Sequence, residues 1–256
     1  MEYKRVLFCL SVIQKDRKRK HFSNIPRRGG SMLGILWDYN GVIAQDEHLH
    51  EAAFREVLTR YGVVLTDQLY GQCCLGRTDA AGFEEFELRF MEQLATVSIE
   101  ELIAKKQAVY QRCVVPKEIL YPGAVEVLRS LNGSPYAIVT SSTRSEVTPV
   151  VAYLAGLGVH FSGVITAEDV AKGKPDPEGY LKGLHAIKLL PAQVVVIEDS
   201  PSGVEAAKAA GLACIALCHT STEERLREAD LIVPTIRDIT LELIRNVLGK
   251  NKSAIP

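Results

Sequence analysis

Carboxylates, hydroxyls and one lysine recur at the same place in this chain, next to the ends of short apolar runs. Asp38 closes the run GILWD, the pair ED at 198–199 closes VVVIED, and the triplet TSS at 140–142 begins at the end of YAIVT. Lys174 stands in GKPDP, the loop that follows GVITA. A carboxylate can attack phosphorus, carboxylates hold Mg²⁺, and hydroxyl and ammonium groups stabilise phosphoryl oxygens. These residue types therefore favour phosphoryl-transfer chemistry.

Each of these side chains also has an ordinary structural explanation. An Asp at the end of a strand often caps a turn, Ser and Thr cap helices, and a lysine is usually solvated. The whole set is harder to explain in this way if the apolar runs are parallel strands, because parallel strands end at one edge of a sheet. The surrounding elements must decide between the two interpretations.

From residue 121 onwards, short apolar runs alternate with helical patterns. Continuously apolar strands that alternate with helices are typical of a parallel sheet covered on both faces. Such a sheet binds its ligands outside the carboxyl ends of its strands. The predicted strands are 34–38, 136–140, 163–167, 194–199, 213–217 and 230–234, and the later helices include one ending at 157, 177–188, 201–210, a short one before 230 and a last one.

Residues 47–120 interrupt this alternation with helical spacing and no convincing strand pattern. We therefore predict a Rossmann-like α/β core, a doubly wound parallel sheet built from 32–46 and 121–256, with an inserted all-helical cap at 47–120. Residues 1–31 are predicted to be a basic, flexible extension. The clearest helical patterns in the cap cover 47–61, 83–94 and 99–113.

The near-zero net charge of −1 hides two opposite contributions. Nine Lys/Arg and two Asp/Glu give residues 1–31 a charge of +7, and 21 bases against 29 acids give the rest −8. The acidic part disfavours nucleic acid as a partner of residues 32–256, whereas the basic extension leaves that question undecided. A transit peptide, a nucleic-acid-binding arm, a flexible tail or an upstream start before Met32 are the alternatives for the extension, with the last two favoured.

The composition is that of an ordinary globular protein, with 47% hydrophobic and 24% charged residues. No apolar run approaches the roughly 18 residues that span a bilayer, so we expect no membrane partner. None of the six cysteines forms a C-x-x-C motif, which favours reduced thiols in a cytoplasmic protein. We expect a monomer.

The segments LWDYNGVIAQDE, IVTSSTR, AKGKPDP and VVVIEDSPSGVEAAKAAG resemble the four motifs of the haloacid dehalogenase superfamily. The similarity extends from about Leu33 to Gly249 and is closest to the branch that holds beta-phosphoglucomutase and sugar-phosphate phosphatases. The helical insertion directly after the first motif is similar to the cap of that branch. The resemblance implies a Mg²⁺-dependent phosphatase, with Mg²⁺ as cofactor and a small phosphorylated metabolite as substrate. A phosphosugar mutase, or a regulatory protein that binds a phosphorylated ligand without turnover, is the alternative.

The resemblance also implies roles for individual residues of the core. Asp38 is the implied nucleophile and a metal ligand, and the main-chain carbonyl of Asn40 is a further ligand. Glu198 and Asp199 hold the metal, with Asp199 the stronger candidate.

The same resemblance assigns the phosphoryl group to the hydroxyl triplet and the lysine. Ser141, or else Thr140, binds the transferred phosphoryl, and Ser142 belongs to the same substrate-binding set. Lys174 neutralises the phosphoryl group and orients the nucleophile.

Two cap residues match positions that matter in the mutase. His50 matches a histidine that couples cap closure to proton transfer, and its alternative is packing on one face of the 47–61 helix. Lys106 falls where the mutase has a lysine that contacts phosphate, and its alternative is an ordinary solvated helix position.

The segment LGRTDAAGF lies where caps of this family enter the active site and is expected to select the substrate. Arg77 is the candidate for a second anionic group, and Thr78 or Asp79 for hydroxyls. Asp79 stands where the mutase has an arginine that holds the second phosphate. A carboxylate there repels phosphate and favours a monophosphate substrate, although a shift of one residue would restore Arg77 to that place.

Asn40 is a departure from the family, which has an acid–base Asp at this position. An amide cannot exchange a proton usefully, and general acid–base catalysis contributes roughly 10²–10⁴-fold. In the first of three explanations another group takes the proton, with Asp46, Glu47 and His48 as candidates and His50 favoured.

In the second explanation the chain releases an aspartyl-phosphate slowly, or binds ligand without turnover. In the third, different chemistry operates, as in superfamily members that cleave carbon–halogen or phosphorus–carbon bonds. This last explanation is the weakest, because the pair at 198–199 is intact and LGRTDAAGF lacks a lysine for a Schiff base.

Overall fold

The computed structural model describes residues 32–75 and 77–252, with side chains up to residue 250. The basic extension predicted for residues 1–31, together with its undecided nucleic-acid role, lies outside the described residues. No helix among those described is both long enough and apolar enough to cross a bilayer.

Six parallel strands form a single sheet whose order is β3-β2-β1-β4-β5-β6. The order runs in opposite directions on the two sides of β1, so the ends of β1 and β4 flank the crevice in which such sheets bind ligands. This confirms the predicted doubly wound core. The strands are β1 (Gly34–Trp37), β2 (Tyr136–Val139), β3 (Gly163–Ile165), β4 (Val194–Glu198), β5 (Ala213–Leu217) and β6 (Leu231–Val233).

Alternate side chains of the strands enter two different hydrophobic clusters. Ile35 and Trp37 belong to one cluster, whereas Leu36 between them belongs to the other, because successive side chains of a strand point to opposite faces. The continuously apolar runs in the sequence follow from this burial on both faces.

Helices cover both faces of the sheet. The first cluster includes side chains of α7 (Ala124–Ser130), α8 (Arg144–Gly156) and α11 (Leu241–Lys252). The second includes side chains of α9 (Glu178–Ile187) and α10 (Pro201–Ala209). The core is therefore a three-layered α/β arrangement, and the carboxyl ends of its parallel strands lie at one edge of the sheet.

Between residues 47 and 119 the described residues form helices and the loops that join them, and these confirm the inserted helical cap. They are α1 (Glu47–Thr59), α2 (Asp67–Cys73), α3 (Asp79–Arg89), α4 (Met91–Leu94), α5 (Ile99–Cys113) and α6 (Pro116–Ile119). The cap has a hydrophobic cluster of its own, in which the rings of Phe54 and Phe83 lie 4.6 Å apart. The exact limits 47–120 stay a prediction.

Two predicted helices differ in the structure. The helix predicted at 83–94 is broken at Phe90, whose φ of −129° and ψ of 43° end α3 before α4 begins. The short helix predicted before residue 230 does not form, and residues 223–228 make hydrogen-bonded turns instead. Thr220, which precedes these turns, donates from its hydroxyl to the Asp199 carboxylate at the sheet edge.

The turn from β4 into α10 holds a carboxylate tightly against the helix. Ser200 caps α10 by accepting a hydrogen bond from the main-chain N–H of Gly203 at 3.1 Å. A β-carbon on Gly203 would lie 1.7 Å from Oε1 of Glu198. Only a residue without a side chain fits here, so Gly203 allows Glu198 to lie at the first turn of the helix.

We expect Gly203→Ala to lower the free energy of unfolding by about 1–3 kcal/mol, because the added methyl group must displace a carboxylate that is fixed by hydrogen bonds. Urea denaturation measures the change. Gly156→Ala in α8 is the matched control, since a β-carbon there meets nothing within 4 Å. Equal stability of the two variants would contradict the close contact at Gly203.

Candidate active site

The ends of β1 and β4 bring two buried carboxylates to one ammonium group. Nζ of Lys174 lies 2.5 Å from Oδ1 of Asp38 and 2.6 Å from Oε1 of Glu198. Burial raises the pKa of Asp38 well above its usual value, although Lys174 opposes that shift. Burial alone would lower the pKa of Lys174, but the two carboxylates raise it above the usual value, so the lysine is charged.

Glu198 is held by donors on both of its carboxylate oxygens. Oε2 accepts from the main-chain N–H groups of Asp199 and Ser200 at 2.9 and 3.0 Å and from the Ser200 hydroxyl at 3.0 Å. Oε1 accepts from the Tyr180 hydroxyl at 2.7 Å, besides the ammonium of Lys174. Burial opposes ionisation, yet Lys174 and these donors hold the pKa of Glu198 below its usual value. Glu198 is therefore a fixed, ionised anchor for the lysine.

Asp199 lies beside this pair, and its negative charge is less well balanced by Lys174 than that of Glu198. Burial and then the neighbouring charge of Glu198 raise the pKa of Asp199 to about 7. The loop after β1 approaches it closely, since a β-carbon on Gly41, whose φ is +77°, would lie 1.9 Å from Oδ2 of Asp199. This approach brings the main chain of residues 40–41 next to the carboxylates.

The three carboxylates suit a magnesium ion. Oxygen atoms of Asp38, Glu198 and Asp199 lie within 4.8 Å of one another. Oxygen ligands are those that Mg²⁺ prefers. Burial and the neighbouring carboxylates raise the pKa values of Asp38 and Asp199, and a cation bound between them would oppose both shifts. The predicted ligand residues come together, and their chemistry fits the predicted metal.

The three hydroxyls after β2 differ in their surroundings. Ser141 is exposed and lines a cavity of about 210 Å³, together with Lys174 and, from the cap, Thr78. Thr140 lines the same cavity but is buried, and its Oγ1 accepts from the main-chain N–H of Ser142 at 3.0 Å. Ser142 is also buried. Ser141 is therefore the open hydroxyl next to the lysine.

Asn40 joins the core to the entrance of the cap through its side-chain amide. Oδ1 accepts from the Ser142 hydroxyl at 2.5 Å and lies 3.4 Å from Oγ1 of Thr140. Nδ2 donates to Oδ1 of Asp46 at 2.6 Å. Burial opposes ionisation of Asp46, but hydrogen bonds from His50, Tyr110 and this amide hold its pKa below the usual value. The amide thus faces a carboxylate on one side and hydroxyls on the other.

Lys106 has no solvent-exposed side-chain surface, so its interpretation as a solvated helix residue is wrong. Its Nζ lies 2.9 Å from Oδ1 of Asp79, 2.8 Å from Oε1 of Glu146 and 2.6 Å from Nδ1 of His50. These three partners are spaced like metal ligands, but the ammonium group lies among them. Burial would lower the pKa of Lys106, and Asp79 and Glu146 raise it instead.

Both interpretations of His50 have support in the structure. Its ring packs 4.7 Å from the ring of Tyr110, between centroids. Its Nε2 lies 3.4 Å from Oδ2 of Asp46. Burial would lower the pKa of His50, but the hydrogen bond to Asp46 raises it above the usual value. His50 therefore links Asp46 to Lys106, and its role in proton transfer stays a prediction.

The substrate-selecting segment places Asp79, and not Arg77, at the lysine. The side chain of Arg77 is 48% exposed and lies 4.0 Å from Glu85. Thr78 caps α3 by accepting from the main-chain N–H of Ala81 at 3.3 Å. The alternative in which a shift of one residue brings Arg77 inwards is therefore not what the structure has. Substrate contacts of Arg77 and Thr78 stay predictions.

Four residues of the site escaped the sequence analysis. Glu146 was visible only as the last residue of the helix-capping pattern TRSE, because the cap lysine that it also binds is 40 residues away. Tyr110 and Tyr180 lie on predicted helices, where an aromatic residue is an ordinary core residue. Thr220 lies in the bend after β5, where the sequence pattern indicated no role in the site.

We expect Glu146→Gln to lower the free energy of unfolding by about 3–5 kcal/mol, because it leaves a buried ammonium with one carboxylate fewer. Glu101→Gln is the matched control, since Glu101 pairs with Lys105, the neighbour of Lys106, on the surface. Exposed pairs contribute little, so the control should denature like wild type. Similar denaturation midpoints for the two variants would show that the buried cluster does not stabilise the fold.

The family model and the similar proteins that match this chain all point to one family. A family model described as haloacid dehalogenase-like hydrolase matches residues 32–211. Validoxylamine A 7'-phosphate phosphatase of Streptomyces hygroscopicus subsp. limoneus is 32% identical over 206 residues, which cover 80% of this chain and 94% of the relative. The phosphorylated carbohydrates phosphatase of Thermotoga maritima is 31% identical over 224 residues, covering 85% of this chain and 100% of that protein.

The fold agrees with solved structures. The crystal structure of beta-phosphoglucomutase from Clostridium difficile superposes with a TM-score of 0.70 at 21% identity, covering 87% of this chain and 99% of that one. At this identity the likeness concerns the fold alone. The family match over residues 32–211 and the phosphatases above 30% identity confirm the resemblance of the four motifs. The chain belongs to the haloacid dehalogenase-like hydrolases.

Proposed function

We propose that this hydrolase is a Mg²⁺-dependent phosphatase that releases phosphate from a small phosphorylated metabolite. The relatives named above are phosphatases of phosphorylated carbohydrates and of a phosphorylated natural product, which supports this reaction class. The observation that carries the proposal is the contact of Lys174 with Asp38, beside Asp199 and at the edge of a cavity lined by Ser141. It combines a nucleophile, a cation and an open hydroxyl.

Asp38 and Asp199 are the proposed metal ligands, together with the main-chain carbonyl of Asn40. Glu198, the third predicted metal ligand, accepts five hydrogen bonds, so we propose that it holds Lys174 and adds to the negative charge of the site instead of binding the metal directly. Bound Mg²⁺ supplies positive charge that reduces the repulsion between the nucleophile and the phosphoryl oxygens.

The proposed reaction has two displacements. An oxygen of Asp38 bonds to phosphorus while the ester bond to the metabolite breaks, which gives an aspartyl-phosphate. Water then attacks that phosphorus, and phosphate leaves with Asp38 regenerated. Lys174 neutralises the phosphoryl group in both steps, and Ser141 donates a hydrogen bond to it.

Asn40 makes slow turnover part of the proposal. The leaving oxygen needs a proton and the attacking water must lose one. The Asn40 amide can neither donate the first proton nor accept the second. The loss of general acid–base catalysis costs roughly 10²–10⁴-fold in rate, or about 3–5 kcal/mol of barrier. His50 is the proposed group that takes over part of this task, through its contact with Asp46.

A phosphosugar mutase is less well supported. A mutase must hold a second phosphate, whereas Lys106 is already balanced by two carboxylates of its own chain, Asp79 and Glu146. A second phosphate would add negative charge beside them, which disfavours binding. A substrate with one phosphate and a neutral remainder fits the cap better.

The described cysteines are all free thiols, which supports the proposed cytoplasmic location.

We expect Asp38→Asn to abolish phosphate release from a panel of sugar and polyol monophosphates, because the amide cannot form the aspartyl-phosphate. Removal of Mg²⁺ with EDTA should have the same effect on wild type. Asp67→Asn, which changes an exposed residue of the cap, should keep the wild-type rate. If wild type binds phosphorylated ligands in calorimetry but releases no phosphate from any of them, the regulatory alternative replaces the phosphatase.

We expect Asp79→Asn to strengthen the binding of fructose 1,6-bisphosphate relative to fructose 1-phosphate by about tenfold, which corresponds to about 1.4 kcal/mol. The substitution removes one of the two negative charges at Lys106. The two dissociation constants are measured by calorimetry for wild type and variant, with Glu84→Gln in the same helix as control. An unchanged ratio would show that Asp79 does not exclude the second phosphate.

A further inference from the structure

The side-chain amide of Asn40 has a fixed orientation because its two ends meet different partners. An amide has one accepting oxygen and one donating nitrogen, and an ionised carboxylate can only accept. Oδ1 of Asp46 lies 2.6 Å from one end of the amide, so that end is the nitrogen. The oxygen then faces the hydroxyls of Ser142 and Thr140, which donate to it.

Asp46 is bound on its other oxygen by the cap. Oδ2 accepts from the Tyr110 hydroxyl of α5 at 2.5 Å and lies 3.4 Å from Nε2 of His50 in α1. Asp46 is only 1% exposed, so these contacts replace its hydration. One carboxylate therefore joins the loop of the active site to two helices of the cap.

We propose that Asp46 is the positioning residue of Asn40, and that positions 40 and 46 work as one donor–acceptor pair. A carboxylate at position 40 is then compatible with the site only when position 46 carries an amide. With Asn40→Asp alone, two buried carboxylates would lie at hydrogen-bond distance with no donor between them, which is strongly unfavourable.

The exchange of both residues preserves every hydrogen bond of this network. The amide introduced at position 46 donates to the carboxylate introduced at position 40, and its oxygen still accepts from Tyr110. The hydroxyls of Ser142 and Thr140 donate to a carboxylate as well as to an amide oxygen. The negative charge moves from position 46 to position 40, only two residues after Asp38, where a carboxylate can carry a proton for the reaction. This catalytic consequence, unlike the pairing itself, rests on the proposed phosphatase function.

The test is a double-mutant cycle in the full chain, with wild type, Asn40→Asp, Asp46→Asn and the double variant. Urea denaturation midpoints measure the pairing without reference to activity. We expect each single substitution to lower the midpoint and the double variant to recover most of the loss. Where Asn40→Asp alone fails to fold, recovery of folded protein on adding Asp46→Asn is the expected result. Asn40→Asp combined with Asp67→Asn is the control and should show additive effects.

Phosphate release in the same variants measures the positioning role, as kcat and KM separately. We expect the double variant to exceed wild type in kcat by about tenfold or more, within the range of general acid–base catalysis, with a smaller change in KM. Asn40→Asp alone should gain less than the double variant, although it introduces the same carboxylate. If the role of Asp46 is purely structural, the double variant will recover stability without this gain in kcat.

The outcomes separate the pairing from the proposed function. Additive stability effects at positions 40 and 46 would overturn the pairing. Coupled stability with no phosphate release from any variant would support the pairing and overturn the phosphatase. Coupled stability with active wild type, but with no gain in kcat for the double variant, would overturn the positioning role.

Discussion

Two buried carboxylates share the ammonium group of Lys174, and several elements of the core hold the three groups in contact. Asp38 and Glu198 come close because β1 and β4 are adjacent parallel strands that end at the same edge. Without a cation between them, the free-energy cost of removing both carboxylates from water would be too high for a stable fold. The Ser200 cap, the absence of a side chain at Gly203 and the Tyr180 hydroxyl all hold Glu198 in the one place from which it reaches the lysine.

The cap contains a second buried lysine between two carboxylates, and its exposure to solvent differs from that of Lys174. Lys106 also lies between two carboxylates, but none of its side-chain surface is exposed, whereas 11% of that of Lys174 is. Lys174 borders a cavity, so its ammonium group is accessible to a ligand. Lys106 is enclosed by its own partners and serves as an internal counter-ion. Accessibility, and not the number of carboxylate partners, therefore distinguishes the two lysines.

The sequence predicts those parts of the site that depend on regular elements. Apolar runs and their polar ends predicted the sheet, and the sheet placed Asp38, Glu198 and Asp199 together. Contacts that depend on the packing of separate elements had no such signal. Glu146 reaches Lys106 only because α8 packs against α5 of the cap. Thr220 reaches Asp199 from the loop after β5, where no regular element fixes the position of its side chain.

The cap has a hydrophobic cluster separate from the two that cover the sheet. Leu49 and Val114 are partly buried side chains that pack against both the cap cluster and the first sheet cluster. Substitutions at sites that share no partners have nearly additive effects on stability. Cap residues that contact neither these two side chains nor the polar network of Asp46, His50 and Lys106 can therefore change with little effect on the carboxylates at the strand ends. This separation makes the fold modular, because side chains in the helices can be exchanged while the arrangement of the sheet edge stays the same.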